Sequence, residues 1–274
     1  MAPEEHGRKE PHISVFQKDA QRIIYSTQFR RLQGKTQVHP FPVYDYLRTR
    51  LTHTIEVGNV GRIIANQIEK ELARQGDLEY ASCFGDITYA ACLAHDLGNP
   101  PFGHVGEYAI QCWFSEMQTK SSIVAEVLSD EGAKNDFLHF DGNAQGFRIL
   151  TRLAGSRDEG GLRLANATIA SFCKYPYSSK YSTASKKKFG FYLEESSYAD
   201  QIFQSLGMIK DGTAVYKRHP FAFITEAADD ICYLTTDIDD AVRTGHVSFN
   251  TAEPLLVDIC KKGDFLPIFN SAIY

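Results

Sequence analysis

The segment from residue 86 to residue 97, DITYAACLAHDL, constrains this chain most, because it is apolar on nearly every side of a helix. A helix with that pattern is buried on all of its faces. Gly98 and Pro100 follow at once and end it. His95 and Asp96 therefore lie at the end of a buried helix, where an ionisable group is costly unless it is paired or bound to a metal. The fold is thus predicted to form around a polar centre at this point.

Helical periodicity extends over most of the chain. It is clear in three further segments, at residues 51–72, 162–175 and 221–243. Strand-like alternation is scarce, and VYKRH at 215–219 is a short candidate. Two polar stretches, residues 130–146 and 177–188, are predicted to be loops. The predicted fold class is therefore mainly α, a helical bundle with minor short β elements.

The composition is that of an ordinary globular protein, with 43% hydrophobic and 23% charged residues. A net charge of −5 argues against binding along duplex DNA, although local basic clusters can still form. The sequence shows neither an apolar run long enough to cross a membrane nor a signal-peptide core, so a cytoplasmic protein without membrane contact is predicted. The 6 cysteines include no C-x-x-C pair and are predicted to be free, mostly buried thiols.

Charge is divided into separate blocks along the chain. Residues 18–50 and 174–188 are basic, whereas residues 226–240 contain six acids and no base. Basic and acidic blocks in one domain could build a site that holds both a polyanion and a metal. The alternative, which charge alone favours, is that each block is a solvated face.

Further ligand-type residues accompany the pair His95-Asp96. His53 lies on one predicted helix, and Asp229 and Asp230 lie on another. Imidazole and carboxylate ligands together suit Mn²⁺, Fe²⁺, Zn²⁺ or, less well, Mg²⁺. An octahedral ion with four protein ligands keeps positions for water or a substrate oxygen.

The order of His53, His95-Asp96 and a distant Asp resembles the H…HD…D signature of the HD hydrolase superfamily. Seven blocks then resemble, in the same order, those of bacterial deoxyguanosine triphosphate triphosphohydrolases. They are KTQV (35–38), RTRLTHTIEV (48–57), AHDLGNPPFGHVGE (94–107), FDGNAQ (140–145), KYP (174–176), KFGFY (188–192) and ADDICY (228–233). The similarity extends from about residue 20 to about residue 245, and one departure is Asn99, where the family has His.

The resemblance implies that a divalent ion is bound by His53, His95, Asp96 and Asp229. Mn or Mg is expected first, with Fe, Zn or Ni as alternatives in the same site. Asp229, Tyr233 and Asp237 have i, i+4, i+8 spacing and share one helix face, which supports Asp229 as the ligand. The alternative is that Asp230 binds the metal and Asp229 pairs elsewhere.

His104 and Glu107 follow the Pro-Pro turn at an i, i+3 spacing. This spacing lets the carboxylate orient the imidazole, as a general acid requires. In the family this His is proposed to act on the scissile phosphoester bond, so both residues are predicted to be catalytic. The residues alone leave open that the segment only caps a helix.

Nucleotide contacts are implied by the same resemblance. Four residues match the triphosphate contacts of the family: Arg50, Lys174, Tyr175 and Lys188. The planar guanidinium of Arg50 suits phosphate, and its spacing places it on the side of the helix that carries His53.

The other contacts concern the sugar and the cleft. Gln37 and Val38 match the deoxyribose pocket of the family, where a 2′-hydroxyl would be rejected. Tyr233 is predicted to contact the sugar and Asp237 to be a polar anchor beside it. Asn143 and Gln145 are predicted to line the cleft.

The function that follows from the resemblance is metal-dependent hydrolysis of a deoxynucleoside triphosphate, dGTP first, to deoxynucleoside and inorganic triphosphate. Two alternatives remain: another HD phosphohydrolase, such as a nucleotidase or alarmone hydrolase, and a catalytically weak regulator that binds dNTPs. The family also leads us to expect a homo-oligomer, hexamer or tetramer, and a nucleotide or single-stranded DNA effector.

Three parts of the chain are expected. Residues 1–20 are predicted to form an N-terminal tail, and residues 21–250 the HD phosphohydrolase core. Residues 251–274 are predicted to begin a C-terminal helical region that is truncated, because relatives continue with further helices that add phosphate contacts.

Overall fold

The computed structural model of this protein describes residues 13–40, 44–76, 83–155, 161–182, 188–210 and 215–262. The α-helices in these ranges are α1 (Val15–Ile24), α2 (Thr27–Arg31), α3 (Arg50–Gln75), α4 (Phe84–Ala94), α5 (His104–Lys120), α6 (Ser122–Val127), α7 (Glu131–Leu138), α8 (Gly142–Arg148), α9 (Asn166–Phe172), α10 (Ser196–Ser205), α11 (Pro220–Arg243) and α12 (Phe249–Lys262). Short 3-10 turns lie at Leu32–Gly34, Ser179–Tyr181 and Leu193–Glu195, and a π-helical turn lies at Ile149–Leu153. Within the described ranges β structure is limited to isolated bridges, which confirms the mainly α prediction.

Helix α4 is at the centre of the core. It packs against α1, α3, α9 and α11. Its residues from 90 to 94 are completely buried, as the apolar pattern on all sides of this helix predicts. After Asp86 the helix carries no charged side chain, so its burial requires no desolvation of charge along most of its length.

The close approach of α3, α4 and α11 depends on Gly61 in the middle of α3. A Cβ atom at this position would lie 2.6 Å from Sγ of Cys92 on α4 and 3.4 Å from Cβ of Ala228 on α11. Protein cores are packed too densely to accept the first of these distances without movement. The three helices therefore meet where one of them has no side chain.

An ion-pair network and a buried hydrogen bond attach the first part of the chain to later helices. Nε of Arg48 lies 3.0 Å from Oε2 of Glu56, and Nη1 of the same guanidinium lies 2.9 Å from Oδ2 of Asp239 on α11. On α1, the buried carboxylate of Asp19 accepts a hydrogen bond of 2.8 Å from the hydroxyl of Thr168 on α9. The segment before α3 is thereby attached to α3 and α11, and helix α1 is attached to α9.

The predicted loop at 130–146 is wrong, since α7 and α8 occupy most of it. Its polar and glycine-rich composition concealed two short helices, of which α8 begins after a capping residue, Asp141. The predicted strand at 215–219 is reduced to an isolated bridge between Tyr216 and Lys210. The predicted helix at 162–175 is shorter at both ends. The part of the predicted loop at 177–188 between residues 183 and 187 lies outside the described residues.

The expected boundaries also shift at the ends of the described chain. Helix α1 begins at Val15, inside the segment predicted to be a tail, and its residue Ile23 is fully buried. Helix α12 begins at Phe249. In the described part of the chain, no helix combines the length and apolarity that crossing a membrane requires. Cys83, Cys92, Cys112, Cys173 and Cys232 are free thiols.

Candidate active site

Three ligand-type side chains converge where α3, α4 and α11 meet. His53 projects from α3, His95 is the residue that ends α4, and Asp229 lies on α11. Nε2 of His53 lies 3.0 Å from Oδ1 of Asp229, and Nε2 of His95 lies 3.5 Å from the same oxygen. All three ligand atoms lie within 4.8 Å of one another, a spacing that one metal ion can bridge.

The imidazole of His95 is arranged as a metal ligand would be. Its Nδ1 donates a 2.7 Å hydrogen bond to the carbonyl of Cys92, which leaves the lone pair on Nε2. Nε2 is buried and has no hydrogen-bond partner among the described residues. A buried polar atom without a partner is rare and needs an explanation, and a bound cation provides one here.

The charge of this centre also fits a cation. Burial alone would lower the pKa of His95, but the nearby carboxylates of Asp96 and Asp229 raise it. Burial opposes ionisation of Asp229, but His95 and His53 lower its pKa to about 2. The ionised carboxylate of Asp229 beside two imidazoles therefore forms a donor set that suits a divalent cation.

Asp96 lies beside this group but is held by other partners. Its Oδ2 forms a 2.7 Å ion pair with Nη1 of the buried Arg50 and lies 3.5 Å from Nε2 of His95. Its Oδ1 accepts a hydrogen bond from the amide of Asn99, the residue that departs from the family pattern. The predicted role of Asp96 as a fourth ligand remains a prediction.

A cavity of about 430 Å³ opens over the centre. Its lining includes all of the predicted site residues except Gln145 and Asp237: Gln37, Val38, Arg50, His53, His95, Asp96, His104, Glu107, Asn143, Lys174, Tyr175, Lys188, Asp229 and Tyr233. Segments separated by almost two hundred residues in sequence thus contribute to one cavity, whereas their roles in it remain predictions.

His104 and Glu107 form a hydrogen-bonded pair at the start of α5. Nδ1 of His104 lies 2.9 Å from Oε2 of Glu107, and the imidazole is 86% exposed while the carboxylate is buried. Burial would raise the pKa of Glu107, but hydrogen bonds from Lys188, His104 and the backbone of Gly142 lower it. The arrangement presents an oriented imidazole to the cavity.

Each basic side chain that lines the cavity has a carboxylate partner. Arg50 pairs with Asp96, as described above. Nζ of Lys174 lies 3.0 Å from Oε1 of Glu226, and Nζ of Lys188 lies 2.8 Å from Oε2 of Glu107. An anionic ligand would therefore compete with resident carboxylates for these cations.

Two predicted cleft residues lie elsewhere. Gln145 does not line this cavity, and its Oε1 accepts a 3.2 Å hydrogen bond from the hydroxyl of Tyr192 at a second cavity of about 530 Å³. Asp237 lies one helical turn beyond Tyr233 and does not reach the lining. Aromatic and charged side chains line the second cavity, but among the described residues they form no group that could hold a metal, in contrast to the first cavity.

Sequence reasoning missed Asp141 and Glu226, which hold lysines of the cavity. Asp141 carried a readable signal, because Asp followed by Gly and Asn is a common helix start, and it does cap α8. Glu226 carried no such sequence signal, because its partner Lys174 is distant in sequence and Arg218 lies outside its own helix.

Comparison with known proteins gives a consistent result. A family model described as HD domain matches residues 50–156. The chain is 43% identical over 267 residues to a deoxyguanosinetriphosphate triphosphohydrolase-like protein of Pseudomonas aeruginosa, covering 96% of this chain and 59% of the relative. It is 41% identical over 256 residues to a protein of the same name from Synechocystis, covering 89% of this chain and 58% of the relative. It is 37% identical over 274 residues to the deoxyguanosinetriphosphate triphosphohydrolase of Cronobacter sakazakii, covering 86% of this chain and 52% of the relative. The chain thus spans between about half and three fifths of the length of these relatives.

Proposed function

This chain belongs to the deoxyguanosinetriphosphate triphosphohydrolase family of HD-domain proteins, and from that premise we propose that it hydrolyses a deoxynucleoside triphosphate with the help of a divalent metal. The preferred substrate is dGTP, and the products are deoxynucleoside and inorganic triphosphate. The observation that carries the proposal is a single cavity lined by a histidine–carboxylate centre, three basic side chains and an oriented His–Glu pair.

His53, His95 and Asp229 would hold the metal, with Asp96 as the fourth ligand once Arg50 leaves it. Mn²⁺ and Mg²⁺ are the first candidates, with Fe²⁺, Zn²⁺ or Ni²⁺ as alternatives for the same nitrogen and oxygen donors. A bound divalent ion supplies a Lewis acid at the α-phosphoryl oxygen and favours deprotonation of a nearby water.

Arg50, Lys174, Tyr175 and Lys188 would bind the triphosphate. The phosphate oxygens would take over the ammonium and guanidinium groups from their resident carboxylates, since charge-assisted bonds to phosphate are short and strong. Gln37 and Val38 lie in the same cavity and would contact the deoxyribose, with Tyr233 and Asp237 nearby on α11. Oε1 of Gln37 is buried, has no hydrogen-bond partner in the described part of the chain, and offers an acceptor for a substrate donor.

His104 would act as the general acid. The attacking water forms a bond from its oxygen to the α-phosphorus, and the bond between that phosphorus and the 5′ oxygen breaks. The leaving 5′ oxygen takes a proton from His104, whose other ring nitrogen is held by Glu107. The proton that the water loses passes to solvent, solvent returns a proton to His104, and inorganic triphosphate keeps the oxygen of the water.

Product analysis tests this proposal. The protein is incubated with each of the eight common ribo- and deoxynucleoside triphosphates and Mg²⁺ or Mn²⁺, and the phosphate products are separated by anion exchange. We expect deoxynucleoside and inorganic triphosphate in equal amounts, with dGTP consumed fastest. Release of pyrophosphate or of single phosphate groups would overturn the proposal. A homo-oligomer, a nucleotide or single-stranded DNA effector and a cytoplasmic location remain predictions from the family.

A further inference from the structure

Glu107 has more partners than a simple His–Glu pair requires. Its Oε2 accepts hydrogen bonds from Nδ1 of His104 at 2.9 Å and from Nζ of Lys188 at 2.8 Å. Its Oε1 accepts a 2.7 Å hydrogen bond from the backbone of Gly142 at the start of α8. The imidazole is mostly exposed, so few other groups fix it. The position of His104 therefore depends on Glu107, and that of Glu107 depends on Lys188 and α8.

Lys188 lies between two buried carboxylates. Its Nζ is 2.8 Å from Oε2 of Glu107 and 3.6 Å from Oδ2 of Asp141, which is 1% exposed. Oδ1 of Asp141 caps α8 by accepting a 2.8 Å hydrogen bond from the backbone of Asn143. Oδ2 of Asp141 has no hydrogen-bond partner among the described residues. The ammonium of Lys188 is thus the charge that faces this oxygen.

His104, Glu107, Lys188 and Asp141 form a row in which basic and acidic side chains alternate. The charged or titratable side chains that face Glu107 in the described structure are His104, Lys188 and, behind Lys188, Asp141. Without the ammonium, two buried carboxylates would face each other with no cation between them. Both would then be harder to ionise, because burial already raises the pKa of Asp141 and opposes the lowered pKa of Glu107.

We propose that Lys188, backed by Asp141, is a positioning residue that keeps Glu107 ionised and aimed at His104. This role is separate from the phosphate contact that the family resemblance implies for Lys188, and its kinetic consequence rests on the proposed function. In the substrate-free protein, the ammonium of Lys188 holds Glu107 in its hydrogen bond with His104. A triphosphate that binds Lys188 would draw it away from Glu107 and so connect phosphate binding to the state of the general acid.

The first test needs no substrate. Glu107 is titrated by carboxyl ¹³C NMR in the full chain as wild type, Lys188→Gln and Lys188→Arg, with folding verified by circular dichroism. We expect the pKa of Glu107 to rise in Lys188→Gln and to return toward the wild-type value in Lys188→Arg. An unchanged titration of Glu107 in Lys188→Gln would overturn the proposal. Because this measurement does not involve turnover, it decides the point even if the proposed hydrolysis fails.

The second test uses the kinetics. Glu107 must be ionised to hold His104, and the pH dependence of kcat/KM reports the pKa values of the free enzyme, so a raised pKa of Glu107 moves the low-pH limb of kcat/KM to higher pH in Lys188→Gln. A lysine that only binds phosphate would raise KM and leave that limb in place, which would contradict the proposal.

Asp141→Asn completes the experiment, because Asn can still cap α8 while the charge is lost. We expect kcat/KM to fall by about three- to tenfold in the wild-type background and to change little in the Lys188→Gln background, since coupled residues are not additive. Equal losses in both backgrounds would show that Asp141 acts independently of Lys188 and would overturn its part of the proposal.

Discussion

The two sides of the cavity are built in different ways. The histidine–carboxylate side comes from α3 and α11, helices of 26 and 24 residues, together with the end of the buried α4. The facing side comes from the start of α5, the 7-residue helix α8 and the segments around Lys174 and Lys188. Core packing positions the first side, whereas ion pairs position the second. The first should therefore respond to changes of volume and the second to changes of charge.

The largest effect is expected from His95→Ala, which removes the unpartnered nitrogen of the first side. Metal content and activity should be lost together, with kcat falling more than about 10³-fold, because Lewis-acid stabilisation is worth several kcal/mol. Metal analysis of the purified protein and steady-state kinetics measure both. His246→Ala is the matched control, since His246 is exposed and its imidazole contacts Thr244 and His39, away from the centre. A His95→Ala protein with full metal content would contradict the proposed centre.

His104→Ala should separate the two sides. The imidazole is exposed and belongs to the facing side, so its loss should leave metal content and thermal stability unchanged. We expect kcat to fall by about 10²- to 10⁴-fold, the range for loss of a general acid. Activity equal to wild type would remove the role assigned to His104.

Gly61→Ala tests whether packing determines the first side. The added methyl would meet Sγ of Cys92 at 2.6 Å, so we expect unfolding to become easier by about 1–3 kcal/mol, despite the small gain that Ala brings to a helix. Thermal or denaturant unfolding measures the change. Gly34→Ala is the control, because a Cβ there meets nothing within 4 Å and the expected change is within about 0.5 kcal/mol. Equal changes in the free energy of unfolding for the two variants would show that α3, α4 and α11 accept a methyl group at position 61 without strain.

The smallest effect is expected from Gln37→Ala. The side chain lies at the cavity with a buried acceptor that has no partner among the described residues. Its removal should lower the preference for deoxy- over ribonucleoside triphosphates by about tenfold while changing kcat for the preferred substrate less. The ratio of kcat/KM for dGTP and GTP measures this, and an unchanged ratio would exclude a sugar role for Gln37.

The contrast between the two sides also describes what the sequence could predict. Long apolar periodicity predicted α3, α4 and α11, and the motif spacing indicated His53, His95 and Asp229 before any coordinates. The sequence could not indicate that Arg50 forms an ion pair with Asp96, because a salt bridge between α3 and the end of α4 leaves no local pattern. The short helices α7 and α8 were not predicted, for a related reason. Their stability comes from caps and tertiary contacts, such as those of Asp141, more than from periodicity.

Two of the predicted site residues lie outside the cavity lining for a similar reason. Gln145 lies two residues from Asn143, but on a short helix this spacing turns its side chain to another face, where Tyr192 binds it. Asp237 shares a helix face with Asp229, but the cavity ends one turn earlier, at Tyr233. Sequence spacing predicts which face of a helix a side chain lies on. It does not predict where a cavity ends, because that depends on the elements that pack against the helix.

The pairing of every basic group at the cavity with a carboxylate has a consequence for the encounter with substrate. Arg50, Lys174 and Lys188 are matched by Asp96, Glu226 and Glu107, and Asp141 and Asp229 add further negative charge. A bare polyanion approaching this cavity would meet little attraction at long range, since steering requires an excess of the opposite sign. We expect the association rate of a free nucleotide to depend only weakly on ionic strength, and to rise when the nucleotide arrives already complexed with a divalent cation.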